Sequence, residues 1–418
     1  MAVYFDNSAT TRVSERVMQL VVKTMREDYG NPSAKHRMGV DAERYVKEAA
    51  GKIAKTLKCS PKEIIFTSGG TESDNLALIG AAMANKRKGK HLITTSIEHP
   101  AVYQPLLFLE SMGYEVTVLP VDAAGHVDPE DLKDAVRPDT VLVSVMYVNN
   151  ETGAKEPLPE IARAVREKNP GTLIHADAIQ GYGKYRIYPS REGIDMLSVS
   201  GHKLHAPKGV GFLYVREGVK LSPILFGGGQ QGGMRSGTIN VPGIAGMGEA
   251  AAEAYEDFDR KIAEITAVKD YLIDELTGDP EGPLAGITVN SKKGSGSAPH
   301  IVSISVPSVR AEVLLHALED RQIYVSSGSA CSTHHPGISG TLKGIGLPEE
   351  LLDATIRVSL CEENTMQDAE LFLTAMRECY KTFRLHKFHG NVGCGANDYV
   401  VMRSVFNIEI REAVITDI

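Results

Sequence analysis

The chain has no tryptophan and only five cysteines among its 418 residues. Cys59, Cys331, Cys361, Cys379 and Cys394 are scattered and odd in number. That excludes a disulfide framework as the basis of the fold and points to a reducing, cytoplasmic setting, with at least one thiol left for chemistry. No apolar run is long enough to span a bilayer. The opening MAVYFDNSATT lacks a basic flank and a long apolar stretch, so it does not read as a secretory signal. Positive charge is not in excess either: 45 Lys and Arg against 53 Asp and Glu leave a net charge of −8. This balance argues against nucleic acid or an anionic membrane as the main partner. What is present is a soluble globular composition, 42% hydrophobic and 23% charged. The length suits two domains, or one large domain with a smaller one attached.

Strand-like runs recur at 63–68, 91–96, 115–120, 140–148, 172–178, 196–200 and 210–215. Helix-like stretches stand near them at 15–28, 41–57, 73–86, 104–112, 129–136 and 158–168. Strand and helix in repetition predict an α/β fold with a mostly parallel sheet covered on both faces. Several runs are apolar without strict alternation, as strands buried on both sides should be. A Gly-rich segment, FGGGQQGGMRSGT (226–238), breaks the pattern. A long helical stretch over 241–277 is expected next. Runs at 301–306, 323–332 and 355–360 with a helix at 311–320 then predict a smaller α+β domain. The expected divisions are 1–14 as a segment packing with the small domain, 15–250 as the large domain, 251–384 as the small domain and 385–418 as an extension.

Ligands in such sheets bind beyond the carboxyl ends of the strands. Five runs end in polar motifs: TSGGTESDN, TTSIEHP, VNNETG, HADAIQ and SVSGHK. Lys203, in the last, sits between two strand patterns that read as buried. A lysine there can form a Schiff base with an aldehyde cofactor. Pyridoxal 5'-phosphate needs such a lysine, an acid for its ring nitrogen and donors for its phosphate. Gly70 and Thr71 open a helix and suit a phosphate. Asp177 suits the ring nitrogen, and Gln180 the ring oxygen. Each alone has a plainer reading: a capped turn, an ion-pair partner, a surface lysine, or, for His99, a structural histidine. It is their joint order along the chain that favours a site.

The motifs YFDNSATT, YGNPSAKH, FTSGGTESDN, EHPAV, NNETG, HADAIQGYGK, SGHKLHAPKGVG, RSGT and SSGSAC together resemble the cysteine desulfurases, a branch of the class V aminotransferases. The resemblance runs from residue 4 to about 365. It implies the fold type I pyridoxal-phosphate architecture, with a seven-stranded sheet in the large domain. It also implies roles for particular residues. Lys203 would carry the cofactor's Schiff base, Asp177 and Gln180 would hold its ring, and His99 would stack on it and move protons. Gly70, Thr71, Ser200 and His202 would bind the phosphate, with Thr238 reaching the neighbouring subunit's phosphate site in a homodimer. Asn150 is expected to touch the cofactor and, with Arg357, the carboxylate of L-cysteine. Asn7 and Asn31 lie in motifs near the substrate. Cys331 would take the sulfur as a persulfide, for delivery to an acceptor or iron–sulfur scaffold protein.

The rivals are a selenocysteine lyase or cysteine sulfinate desulfinase of the same branch, or a non-catalytic sulfur-relay scaffold. No metal site is expected, although Cys331, His334 and His335 allow a metal reading. Gln231 and Gly232 depart from the family pattern, where a charged pair is usual, and Cys361 stands where glycine or serine is common. The resemblance ends near Arg384. Beyond it, Cys394 lies between two glycines, open to a reading as a second sulfur carrier.

Overall fold

Seven of the strand-like runs pair into one sheet. A computed structural model describes residues 2–327 and 339–387, with side chains up to residue 383. Cys331, His334, His335, Cys394 and the extension beyond residue 387 lie outside the described residues. The short strand β1 (Val3–Tyr4) opens the chain. The large sheet follows with β2 (Ile64–Thr67), β3 (His91–Thr95), β4 (Glu115–Leu119), β5 (Thr140–Met146), β6 (Leu173–Asp177), β7 (Met196–Ser200) and β8 (Gly211–Val215). Their order is β2-β8-β7-β6-β5-β3-β4. Only β8 is reversed, antiparallel to both β7 and β2. The strands that carry the polar motifs therefore point the same way.

Every residue of β5 is buried, because helices cover both faces of the sheet. On one face α1 (Glu15–Arg26) and α2 (Arg37–Leu57) pack with residues such as Phe66, Val143, Ile174 and Phe212. On the other, α3 (Gly70–Asn85) and α4 (Pro100–Ser111) pack against Leu92, Leu142, Met196 and Leu213. Burial on this scale is the main stabilising term, about 25 cal/mol per Å² of apolar surface.

A second core forms around β9 (Thr288–Val289), β10 (Ile301–Ser305), β11 (Ile323–Tyr324), β12 (Ser326–Ser327) and β13 (Thr355–Ser359). Four of these make an antiparallel sheet, β12-β13-β10-β9, and β11 pairs in parallel with β1. Val3 and Phe5 sit in this core, Phe5 edge-on to Phe372 at 5.9 Å. The first residues thus cross from the second core to the lysine loop of the large sheet.

The expected single helix over 241–277 is two. Val241–Tyr255 and Phe258–Thr277 are separated at Asp257, whose φ is +49°. Left-handed backbone cannot continue a helix. The first helix packs against α1 and α2 and the second joins the second core, so the chain must change direction between them. Tyr255 stacks on Phe258 across the break at 5.2 Å.

Glu156 is a buried acid with no ion-pair partner among the described residues. Oε2 accepts from Val127 N at 3.1 Å, and Oε1 has no hydrogen bond among the described residues. Burial pushes the carboxyl up to about 9 from an ordinary 4.5. The folded state then holds a proton that the unfolded state gives up, so stability falls as pH rises from 4.5 to about 9. Glu156→Gln removes this dependence. Thermal melts over that range should show a shallower decline in Tm than wild type, with the variant the more stable at the alkaline end.

Candidate active site

Lys203 follows β7 in a tight turn. Gly201 is required there: a Cβ would meet Met247 Sδ at 2.9 Å and Val210 O at 3.1 Å. The Lys203 amine donates to Ser8 O at 2.5 Å and Ala9 O at 2.7 Å. Gln180 Nε2 donates to the same Ser8 carbonyl at 3.0 Å. The N-terminal segment is fastened to the lysine loop by Thr11, whose backbone N and Oγ1 both donate to His202 O. Thr11 Oγ1 also accepts from His205 N at 2.7 Å. A strand end and a distant terminus thus share one polar knot.

Asp177 ends β6 and is 4% exposed. Its Oδ1 accepts from Ile179 N at 2.9 Å. Burial pushes its carboxyl up, while that hydrogen bond and the Lys203 charge pull it back. On the α3 side lies a group that sequence reasoning missed. His175, two residues earlier on the same face of β6, meets Ser144 Oγ at Nδ1 (2.8 Å) and Ser198 Oγ at Nε2 (2.9 Å). Its Nε2 is 3.5 Å from Asp74 Oδ1. Both residues are fully buried, and neither Asp74 oxygen makes a hydrogen bond of good geometry among the described residues. Burial and the charge of Asp177 both push Asp74 well above the carboxylate range, and burial pushes His175 down to about 3. Burial thus disfavours charge on both groups, while the Lys203 charge draws the Asp177 carboxyl toward its ionised form.

Two cavities meet at Thr71. One, of about 600 Å³, is lined by Gly70, Thr71, Ser200, His202 and Lys208. It lies at the N-terminus of α3, where Gly69 has φ of +150° and no side chain caps the helix. Free N–H groups and the helix dipole make this end a seat for an anion. Gly211 on β8 lets the loop sit there. A Cβ on it would stand 2.5 Å from Val199 O and 2.8 Å from Gly69 Cα. The other cavity, about 460 Å³, is lined by Thr71, Asn75, His99, Gln104 and Phe108. His99 caps α4, its Nδ1 accepting from Ala101 N at 3.1 Å. Nε2 must then carry the proton of the neutral ring. Burial, helped by the Lys203 charge, pushes His99 down to about 4.

Arg357 on β13 is 3% exposed. Nη1 donates to Asn150 O and Nη2 to Asp6 Oδ1, each at 2.9 Å, while Nε has no partner among the described residues. Asn150 enters this contact through its backbone.

The remaining candidates are placed differently. The Asn7 amide is used in tying the terminus to Tyr4 O, Ser359 O and Asn364 Oδ1. Asn31 is exposed, and its Oδ1 accepts from Ser33 N in its own turn. Thr238 is exposed, three residues past Arg235, which grips Glu72 with two hydrogen bonds of 2.8 and 3.1 Å. Gln231 clasps the open edge of the sheet: its amide accepts from Phe66 N and donates to Phe66 O, both at 2.7 Å. Lys208 was also missed. It stands five residues past Lys203 in the same motif, a second cation that the spacing could have flagged.

Gly211→Ala is expected to force the Gly69 loop outward. The cost should be about 1–3 kcal/mol, seen as a lower Tm, with weaker binding of pyridoxal 5'-phosphate when the apoprotein is titrated.

Comparison with known proteins gives the family and the fold. The family profile for class-V aminotransferases matches residues 3–372. A protein named cysteine desulfurase IscS from Dictyoglomus turgidum is 40% identical over 382 residues, 91% of this chain and 95% of that one. Among solved structures, a NifS-like protein superposes with a TM-score of 0.85 at 38% identity, over 91% of this chain and all of the other. A structure titled SspA in complex with cysteine gives a TM-score of 0.72 at 34% identity, covering 86% of this chain and 99% of that one.

Proposed function

The chain belongs to the class-V aminotransferase family, in its cysteine desulfurase branch, and we propose that it converts L-cysteine to L-alanine and passes the sulfur on through Cys331 for iron–sulfur cluster assembly. The observation that carries this reading is the Lys203 amine beside buried Asp177, next to an uncapped helix N-terminus. The relative whose structure holds cysteine supports that substrate.

The residues fit pyridoxal 5'-phosphate. The donors of the larger cavity suit a dianionic phosphate: the free N–H groups of α3, Thr71, Ser200, His202 and Lys208. His202, pushed down to about 4 by burial and two lysine charges, is neutral and can donate without needing a counter-ion. Asp177 would hold the ring nitrogen and Gln180 the ring oxygen, and Lys203 would bear the Schiff base. When bound, the cofactor supplies an electron sink for the pair left at the substrate Cα.

Lys203 Nζ serves as the base that removes the Cα proton and returns it. The carbonyls of Ser8 and Ala9 aim it. Asp177, drawn toward its ionised form by the Lys203 charge, would keep the ring nitrogen protonated. His99 acts first as a donor through Nε2. Its lone pair is used in capping α4, so taking a proton from a thiol requires that cap to break. Arg357, whose Nε has no partner among the described residues, holds the substrate carboxylate beside Asn150. Cys331 lies outside the described residues, and its role rests on the motif SSGSAC. In net terms the Cβ–S bond of cysteine breaks and an S–S bond to Cys331 forms. Carbon is reduced as the two sulfurs are oxidised, and Cβ gains a proton. The products are alanine and a Cys331 persulfide. The protein is proposed to work in the cytoplasm as a homodimer, with Thr238 completing the neighbouring phosphate site.

Purified protein given L-cysteine, pyridoxal 5'-phosphate and a thiol reductant should release alanine and sulfide in equal amounts, and Lys203→Ala and Cys331→Ala should release neither. Loss of cysteine activity in Cys331→Ala with selenocysteine activity retained at the wild-type level would favour the selenocysteine lyase. A protein that binds the cofactor but makes no alanine would have another substrate.

The buried guanidinium gives a separate check. Arg357→Lys keeps the charge but cannot span Asn150 O and Asp6 together. KM for L-cysteine should rise by about tenfold or more, with a smaller change in kcat.

A further inference from the structure

Two residues past Lys203, His205 meets Cys361 and Glu362 at the end of β13. Its Nε2, a sulfur Sγ and a carboxylate oxygen lie within 4.8 Å of one another. His205 Nδ1 lies 2.7 Å from Arg12 O. A carbonyl only accepts, so Nδ1 carries a proton and Nε2 faces the other two groups. Nε2 is buried and makes no hydrogen bond of good geometry among the described residues, although Glu362 Oε2 is 3.3 Å away. A nitrogen, a sulfur and an oxygen, each of a type that can ligate a metal, converge here. We propose that His205 Nε2, Cys361 Sγ and the Glu362 carboxylate bind a zinc ion.

The geometry suits the metal. Nitrogen and oxygen ligands about 2.0–2.1 Å from tetrahedral zinc stand about 3.3 Å apart, which is the separation found. Sγ needs at most about 1 Å of further approach. A histidine oriented through Nδ1–H to a backbone carbonyl is the usual arrangement of a zinc ligand. Cys361 is 4% exposed, so a metal held there is shielded from solvent on the sulfur side. The charges opposing a cation here are Lys184 and Lys261. Lys261 approaches the other carboxylate oxygen, Oε1, at 3.9 Å and leaves Oε2 to the site. Zinc, a thiolate and a carboxylate sum to zero charge, with a water as fourth ligand. Metal competes with protons for such ligands, so affinity rises with pH. The ion would tie the terminal segment at Arg12, the lysine loop and the end of β13 together.

The test is zinc content of the full-length holoprotein, purified without a metal-affinity tag, followed by Co²⁺ exchange. Wild type should hold about one zinc per chain and give the visible bands of tetrahedral thiolate-ligated cobalt, at wavelengths beyond the cofactor's absorption. Cys361→Ser should lose both signals while its cofactor absorbance confirms folding. Glu362→Gln should weaken binding about tenfold or more. Cys331→Ala should bind as wild type does. Failure of wild type to bind zinc stoichiometrically would overturn the proposal, leaving an imidazolium–carboxylate pair. So would binding that survives Cys361→Ser and disappears in Cys331→Ala. Neither outcome bears on the desulfurase reading, which is read from alanine release.

Discussion

Two backbone carbonyls, those of Ser8 and Ala9, hold the Lys203 amine at 2.5 and 2.7 Å. Most of the site is arranged around that contact. The terminal segment reaches the lysine only because both of its ends are fixed. Val3 and Phe5 are buried in the second core, and Thr11 is bonded to the lysine loop. The Asn7 amide locks the middle to β13. Amines are costly to order in a partly buried place unless their N–H groups find acceptors. Here the acceptors come from a segment nearly two hundred residues away in sequence.

Charge follows the same logic. Asp74, Glu98, Asp177 and His175 cluster behind the lysine, more ionisable groups than one low-dielectric pocket can charge together. Burial pushes Glu98 up to about 8 and Asp74 well above the carboxylate range. Among these acids, Asp177 has the Lys203 charge drawing its carboxyl down. Of the three, it is the acid best suited to stand charged opposite the lysine. The backbone adds a third element, the uncapped start of α3, whose approach depends on Gly211 having no side chain.

Much of this arrangement is legible in the amino-acid sequence. The runs at 63–68 and 196–200 form β2 and β7 because β-branched and apolar residues without alternation suit a sheet covered on both faces. Polar motifs at the strand ends converge because parallel strands bring their carboxyl ends to one edge. Other features are hidden. The break at Asp257 has no proline or glycine to mark it; it comes from the chain leaving one core for another. The role of Gln231 depends on which strand lies at the sheet edge, and a motif does not say. The tautomer of His99 is set by one hydrogen bond to Ala101 N. Asp74 and His175 are a hundred residues apart and meet only through packing of α3 on β6. Histidine in HADAIQ reads as part of a motif and gives no hint of a partner below the sheet.

The most direct measurement is to load the protein with pyridoxal 5'-phosphate, reduce it with borohydride and map the modified residue by mass spectrometry. The account expects a pyridoxyl group on Lys203, with the rest of the chain unmodified. A label on Lys208 or elsewhere, or no stable label at all, would contradict it.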